Sequence, residues 1–198
     1  MKKVLLGLAL AAMAAVVVAH VSSAQEGGED DYMAQYMKAI APGPHHKAFE
    51  KRVGEWDAVI KLWAGGPGSE PMESQGKCTY ELVLDGRFLK QQMEGTIMGM
   101  PFVGMGVSGF DKTSGKHTSY WIDSMGTQSV YSEGECSDNC MIESYHFTTT
   151  DPVMKTESEV RMVVNTKDAN NHVFEWYMKI GEEYVKTMEI VYTRAGTE

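Results

Sequence analysis

Few residues in this chain could do chemistry: three cysteines, six histidines, and acids or bases set among apolar strand residues. Cys136 and Cys140 stand four apart in Cys-Ser-Asp-Asn-Cys, a spacing that suits a disulfide closing a hairpin tip in an oxidising compartment. As zinc ligands the two thiols lack a histidine or a second cysteine pair nearby in sequence, so no metal site is expected. Cys78 is left over and reads as a buried small hydrophobe.

His45 and His46 precede a short helical stretch and read as exposed; His117 and His172 follow turns, where polar residues are common. Asp123 sits beside Trp121, and an acid lined up with Arg161 inside a barrel would bind a carboxylate or stage a proton transfer. Glu143 reads as an outward-facing charge. Methionines recur along the strands, among them Met93 and Met105. Flexible thioethers suit either a cavity for apolar molecules or plain core filling, and the spacing does not separate the two. A copper site is disfavoured because these positions follow strand alternation. No catalytic motif is recognisable, and whether the chain is an enzyme stays open.

Gly104-Met105-Gly106-Val107-Ser108-Gly109 matches the dinucleotide fingerprint G-x-G-x-x-G. That motif works between a strand and the helix whose N-terminus meets the pyrophosphate. Here the glycines lie inside a strand pattern, and the turn Asp111–Gly115 follows them, so the match carries no nucleotide site.

The elements that must position these residues are strands. Alternation and turn chemistry predict Glu55–Ala64, Glu73–Leu84, Arg87–Ile97, Phe102–Phe110, Lys116–Asp123, Gln128–Gly134, Met141–Thr148, Thr156–Thr166, His172–Lys179 and Tyr184–Arg194. Short links make neighbours antiparallel, and ten such strands without covering helices close up or split into a sandwich. Short helices are predicted over Tyr32–Ile40 and His45–Val53, broken by Ala41-Pro42-Gly43-Pro44. Residues 25–44 form an N-terminal tail and short helix, and residues 45–198 a single all-β domain.

Residues 1–24 read as a secretory signal peptide: Lys2-Lys3, an apolar run from Val4 to Ala19, then Ser22-Ser23-Ala24 before a cut after Ala24. The expectation is a periplasmic or secreted protein with no stable membrane anchor after cleavage. Removing these residues takes two lysines and no acids, which leaves a formal charge of −11. That charge argues against nucleic acid as a partner, since phosphate backbones would be repelled.

Gly54-Glu55-Trp56 at the start of the first strand, with Arg194 in the last, resembles the calycin signature of lipocalins and fatty-acid-binding proteins. GRFL, EGTIMGMPFVGMGVSGFD, WIDSM and HVFEWYM resemble the bacterial "domain of unknown function 1579" family over roughly Phe49 to Arg194. The resemblance implies an up-and-down calycin-like β-barrel of about ten antiparallel strands with short N-terminal helices. Gly54, Trp56 and Arg194 then have a fold-closing role, with the guanidinium stacked on the indole. The family brings no established activity.

The function expected is binding of a small apolar molecule inside the barrel, with Met93, Met105, Trp121, Asp123 and Arg161 lining the pocket. Gly104, Gly106 and Gly109 are expected to leave that interior open. No cofactor is expected. One alternative is a haem-binding barrel or small-molecule enzyme of the nitrobindin-like type, using His172 or His146. Another is an interaction module with a filled core.

Overall fold

The computed structural model describes residues 28–137 and 139–196, so the proposed signal peptide lies outside the described residues. The chain divides after Ala41 into two units. In the first, helix α1 spans Gly28–Ile40. No helix among the described residues is long and apolar enough to cross a membrane.

The second unit begins with helix α2 (Pro44–Ala48) and a 3-10 turn (Phe49–Arg52), which together occupy the stretch predicted as one helix. Ten strands follow: β1 (Gly54–Leu62), β2 (Met72–Val83), β3 (Phe88–Ile97), β4 (Met100–Asp111), β5 (Lys116–Asp123), β6 (Val130–Ser137), β7 (Ile142–Thr150), β8 (Glu157–Thr166), β9 (Asn171–Ile180) and β10 (Glu183–Arg194). Each pairs antiparallel with its sequence neighbours, and β1 pairs with β10 to close the barrel. Tight connections permit only antiparallel neighbours, and closure removes both open edges. The G-x-G-x-x-G stretch lies within β4, away from any helix start.

Period-two alternation places the core. Trp56, Ala58 and Ile60 of β1 point inward with Cys78 and Tyr80 of β2, Leu89 and Met93 of β3, Phe102 of β4, and Ile190 and Tyr192 of β10. A bulge between Lys186 and Met188 keeps Met188 opposite Trp176 on the inner face.

The barrel is closed where β1 meets β10. The Arg194 guanidinium sits 4.2 Å from the centre of the Trp56 ring and donates to the carbonyls of Lys51, Val53 and Ala169. Trp56 Nε1 donates to the Arg52 carbonyl at 2.8 Å. Gly54 has φ +123°, and a Cβ there would stand 2.8 Å from the Arg194 Nη1. The Gly-x-Trp signature thus has a direct cause: only glycine leaves room for the arginine.

Candidate functional site

The barrel encloses a cavity of about 250 Å³. One part of its lining is apolar, with Ile97, Phe102, Trp121, Val130, Trp176 and Met188 among the contributors. Phe102 and Trp121 stack with ring centres 6.5 Å apart.

The other part is polar and deeply buried. Arg52 reaches in from the 3-10 turn and donates to Glu143 of β7 at 2.6 Å, both side chains being about 5% exposed or less. The second Glu143 oxygen accepts from Tyr145 Oη at 2.7 Å. Burial, with the Glu143 charge added, pushes the Tyr145 phenol well above its ordinary value. Tyr80 and Tyr192 are raised in the same direction by burial, so all three phenols stay neutral donors.

His172 of β9 is fully buried. Its ring lies flat on Tyr192, 4.2 Å between centres, with Trp56 edge-on at 4.4 Å. Nε2 lies 3.3 Å from Tyr80 Oη, while Nδ1 has no hydrogen-bond partner among the described residues. Desolvation, reinforced by Arg52 and Arg194, lowers this imidazole to about 3, so it is neutral under ordinary conditions. Ser132 Oγ, also on the lining, is likewise buried without a protein partner. Buried polar atoms are nearly always satisfied, so these two offer hydrogen-bonding positions on the lining.

Of the five residues expected to line a pocket, Met93, Trp121 and Asp123 do so. Trp121 Nε1 donates to Asp123 Oδ2 at 2.8 Å, with the indole packed over Gly104 and Gly106 of the neighbouring strand. Met105 does not line it; it is 39% exposed on the outer face of β4. The inner face of that strand carries Phe102, Gly104, Gly106 and Ser108. Arg161 is also outside, its guanidinium over the rings of Tyr177 and Tyr184 at 4.5 and 5.2 Å. The expected Asp123–Arg161 pairing is therefore absent from the interior.

The glycines of β4 do not hold the lumen open either. A Cβ on Gly104 would stand 2.2 Å from the Trp121 ring and one on Gly106 2.7 Å from it, while at Gly109 the Phe88 ring takes the space. The room they leave is filled by neighbouring aromatics.

Glu143 is buried rather than outward-facing, and His46 and His117 are buried rather than surface groups. His146 is on the exterior. Sequence reading missed the Arg52–Glu143–Tyr145 set entirely. A signal was present: Glu143, Tyr145 and Phe147 share one parity of β7, and on most strands the parity richer in large apolar residues faces in. Cys136 and Cys140 form a disulfide, and Cys78 is a free, buried thiol pushed up to about 11 by desolvation.

Comparison with known proteins supplies a fold and a family. No curated protein matches the chain. Among solved structures, the chain is similar to the S-type phycobiliprotein lyase CPES from Guillardia theta at 10% identity and a TM-score of 0.53, with 82% of this chain and 98% of that chain covered. It is also similar to Rv2717c from M. tuberculosis at 16% identity and a TM-score of 0.54, with 78% and 99% covered. At these identities the likeness is one of fold alone. The model for proteins of unknown function DUF1579 matches residues 41–194, which includes the whole barrel, and the chain belongs to that family.

Proposed function

We propose that the barrel binds one small, largely apolar molecule carrying a single hydrogen-bonding end. The observation behind this reading is the cavity itself. Aromatic and thioether side chains wall one part, while neutral phenols, His172 Nδ1 and Ser132 Oγ lie at the other. Pockets that hold small molecules are mostly apolar with a few placed polar groups, commonly about 300–1,000 Å³. At about 250 Å³ this cavity favours a compact guest over a broad one. The Arg52 guanidinium is already matched by Glu143, which favours a hydroxyl or carbonyl over a carboxylate at the polar end. The fold is shared with a protein named as an S-type phycobiliprotein lyase.

We infer as well that the protein works outside the cytoplasm after removal of residues 1–24. The support is the order of basic, apolar and small residues in that stretch. The mass of the chain recovered from the exporting cell tests the cut after Ala24.

Binding is tested by titrating the purified protein with a short-chain fluorescent fatty alcohol. Micromolar affinity is expected, about −8 kcal/mol. Ser132→Phe places a ring in the cavity and should abolish binding, whereas Met105→Phe on the outer face should not. Equal effects from the two substitutions, or no binding to the folded parent, would overturn the proposal. A purified protein with the visible absorption of bound haem would favour the nitrobindin-like reading, with His172 as the interior histidine.

A further inference from the structure

The fold brings together, away from the lining of the cavity just described, four residues from three distant stretches of the sequence. His45 of α2, His117 of β5, Cys136 of β6 and Cys140 from the following turn aim one ligand atom each at a common point, all within 4.8 Å of one another. We propose that in the dithiol form of the chain these four residues are a Cys2His2 site for a divalent metal of the zinc class.

The distances carry the argument. A tetrahedral centre with metal–nitrogen bonds near 2.0 Å and metal–sulfur bonds near 2.3 Å places its ligand atoms about 3.3–3.8 Å apart. His45 Nδ1 and His117 Nε2 are 3.1 Å apart. Cys136 Sγ is 3.4 Å and Cys140 Sγ 3.2 Å from His45 Nδ1, and Cys140 Sγ is 3.8 Å from His117 Nε2. Four of the six edges thus fall close to the tetrahedral values; the Cys136–His117 edge is within 4.8 Å, and the two sulfurs, bonded here to each other, must part.

The rings are fixed before any metal arrives. His45 stacks flat on Phe110 at 3.9 Å, and His117 is packed between Phe49 at 6.0 Å and Phe110 at 5.0 Å. Asn139 and Cys140 both have positive φ, a left-handed turn that folds Cys140 back onto the end of β6. Access is open, because the groove beside the site is lined by Pro44, His45, Ala48, Cys136, Asn139 and Cys140. Lys47 and Lys51 border the same groove. Two thiolates and two neutral imidazoles cancel a dication, so the site needs no further acid beside those lysines.

Disulfide and metal centre are mutually exclusive. A phosphine reductant donates two electrons to the S–S bond, and water supplies the two thiol protons and the oxygen of the phosphine oxide. Zinc then displaces both thiol protons. In the reverse sense, a small-molecule disulfide takes two electrons from the two thiolates, closing the Cys136–Cys140 bond and releasing the metal with two small-molecule thiolates. The expectation that no histidine stood near the cysteines held only along the sequence. The fold supplies two.

The test uses the full chain, reduced with a phosphine and freed of excess reagent. Added Zn2+ should bind at one equivalent per chain, and Co2+ should give the intense visible bands and thiolate charge-transfer band of a tetrahedral S2N2 centre. The oxidised chain should bind neither. Losing an outer partner of a ligand already costs 10–100-fold in affinity, so His45→Ala should weaken Zn2+ binding by at least about tenfold. His45 is half-buried and removable without emptying the core, and far-ultraviolet circular dichroism confirms that the variant folds. His146→Ala, on the barrel exterior, should leave affinity unchanged. The proposal is overturned by a reduced, folded chain that holds no stoichiometric Zn2+, by equal binding to the oxidised chain, or by unchanged affinity in His45→Ala.

Discussion

Arg52 and Glu143 meet at 2.6 Å inside the barrel although 91 residues separate them in sequence. The pair ties the 3-10 turn before β1 to the middle of the sheet. Tyr145 completes the carboxylate, and the Trp56 indole holds the carbonyl of the same arginine. The closed end is thereby joined to the polar part of the cavity.

Breaking this pair on one side leaves a buried charge without its partner, which typically costs about 3–5 kcal/mol. Arg52→Met should lower stability to urea by that amount. Arg52→Met combined with Glu143→Leu should recover much of the loss, since neither charge is then buried. A double variant no more stable than the single one would assign the damage to lost packing.

The Trp56–Arg194 stack should be a stability device. Trp56→Ala is expected to cost about 3–5 kcal/mol as a large buried side chain is lost. Arg194→Lys should lower the melting temperature too, because an ammonium cannot stack and reach three carbonyls together. Unchanged melting with lost probe binding would make either residue functional instead.

His172 makes stability pH-dependent. Its folded value is about 3 and the unfolded value about 6.5. Below pH 6.5 the unfolded chain takes up a proton that the folded chain refuses. The His172 contribution is therefore complete above pH 6.5 and is lost as pH falls toward 3, at up to about 1.4 kcal/mol per unit. Urea unfolding from pH 7 to 4 should show a shallower slope in His172→Phe than in the parent. Identical slopes would rule this out.

Thiol counting separates the three cysteines. Without reductant, the native chain should react slowly with a thiol reagent at pH 8, since Cys78 is buried and raised to about 11. After denaturation one thiol per chain should appear. Three would contradict the Cys136–Cys140 bond.

Gly104→Ala should destabilise the barrel by about 1–3 kcal/mol, because its Cβ would stand 2.2 Å from the Trp121 ring. Trp121→Leu in the same chain should relieve the clash and restore part of the stability. A Gly104→Ala protein as stable as the parent would mean that the indole swings aside at little cost.

The sequence by itself determined the strands and their antiparallel order, while the closing pair Trp56 and Arg194 came from the resemblance to the calycin signature. Alternation, turn residues and short links are local, and ten short-linked strands leave few arrangements; the predicted boundaries fall within about three residues of those observed. The cysteine spacing likewise identified the disulfide, since four residues cannot separate the ends of a tight turn. Only the tertiary structure decided which face of a mixed strand turns inward. On β4 the apolar Met105 face is outside because the Trp121 ring of β5 needs the space over Gly104 and Gly106. On β8 Arg161 is outside because Tyr177 and Tyr184 offer it flat rings there. On β7 Glu143 is inside because Arg52, from an element 91 residues earlier, is waiting to pair with it. The gathering of His45 and His117 at the two cysteines has the same origin. Those contacts join nearby strands, or the segment before β1 and the sheet, and periodicity along one strand holds no information about what the closed sheet brings beside it.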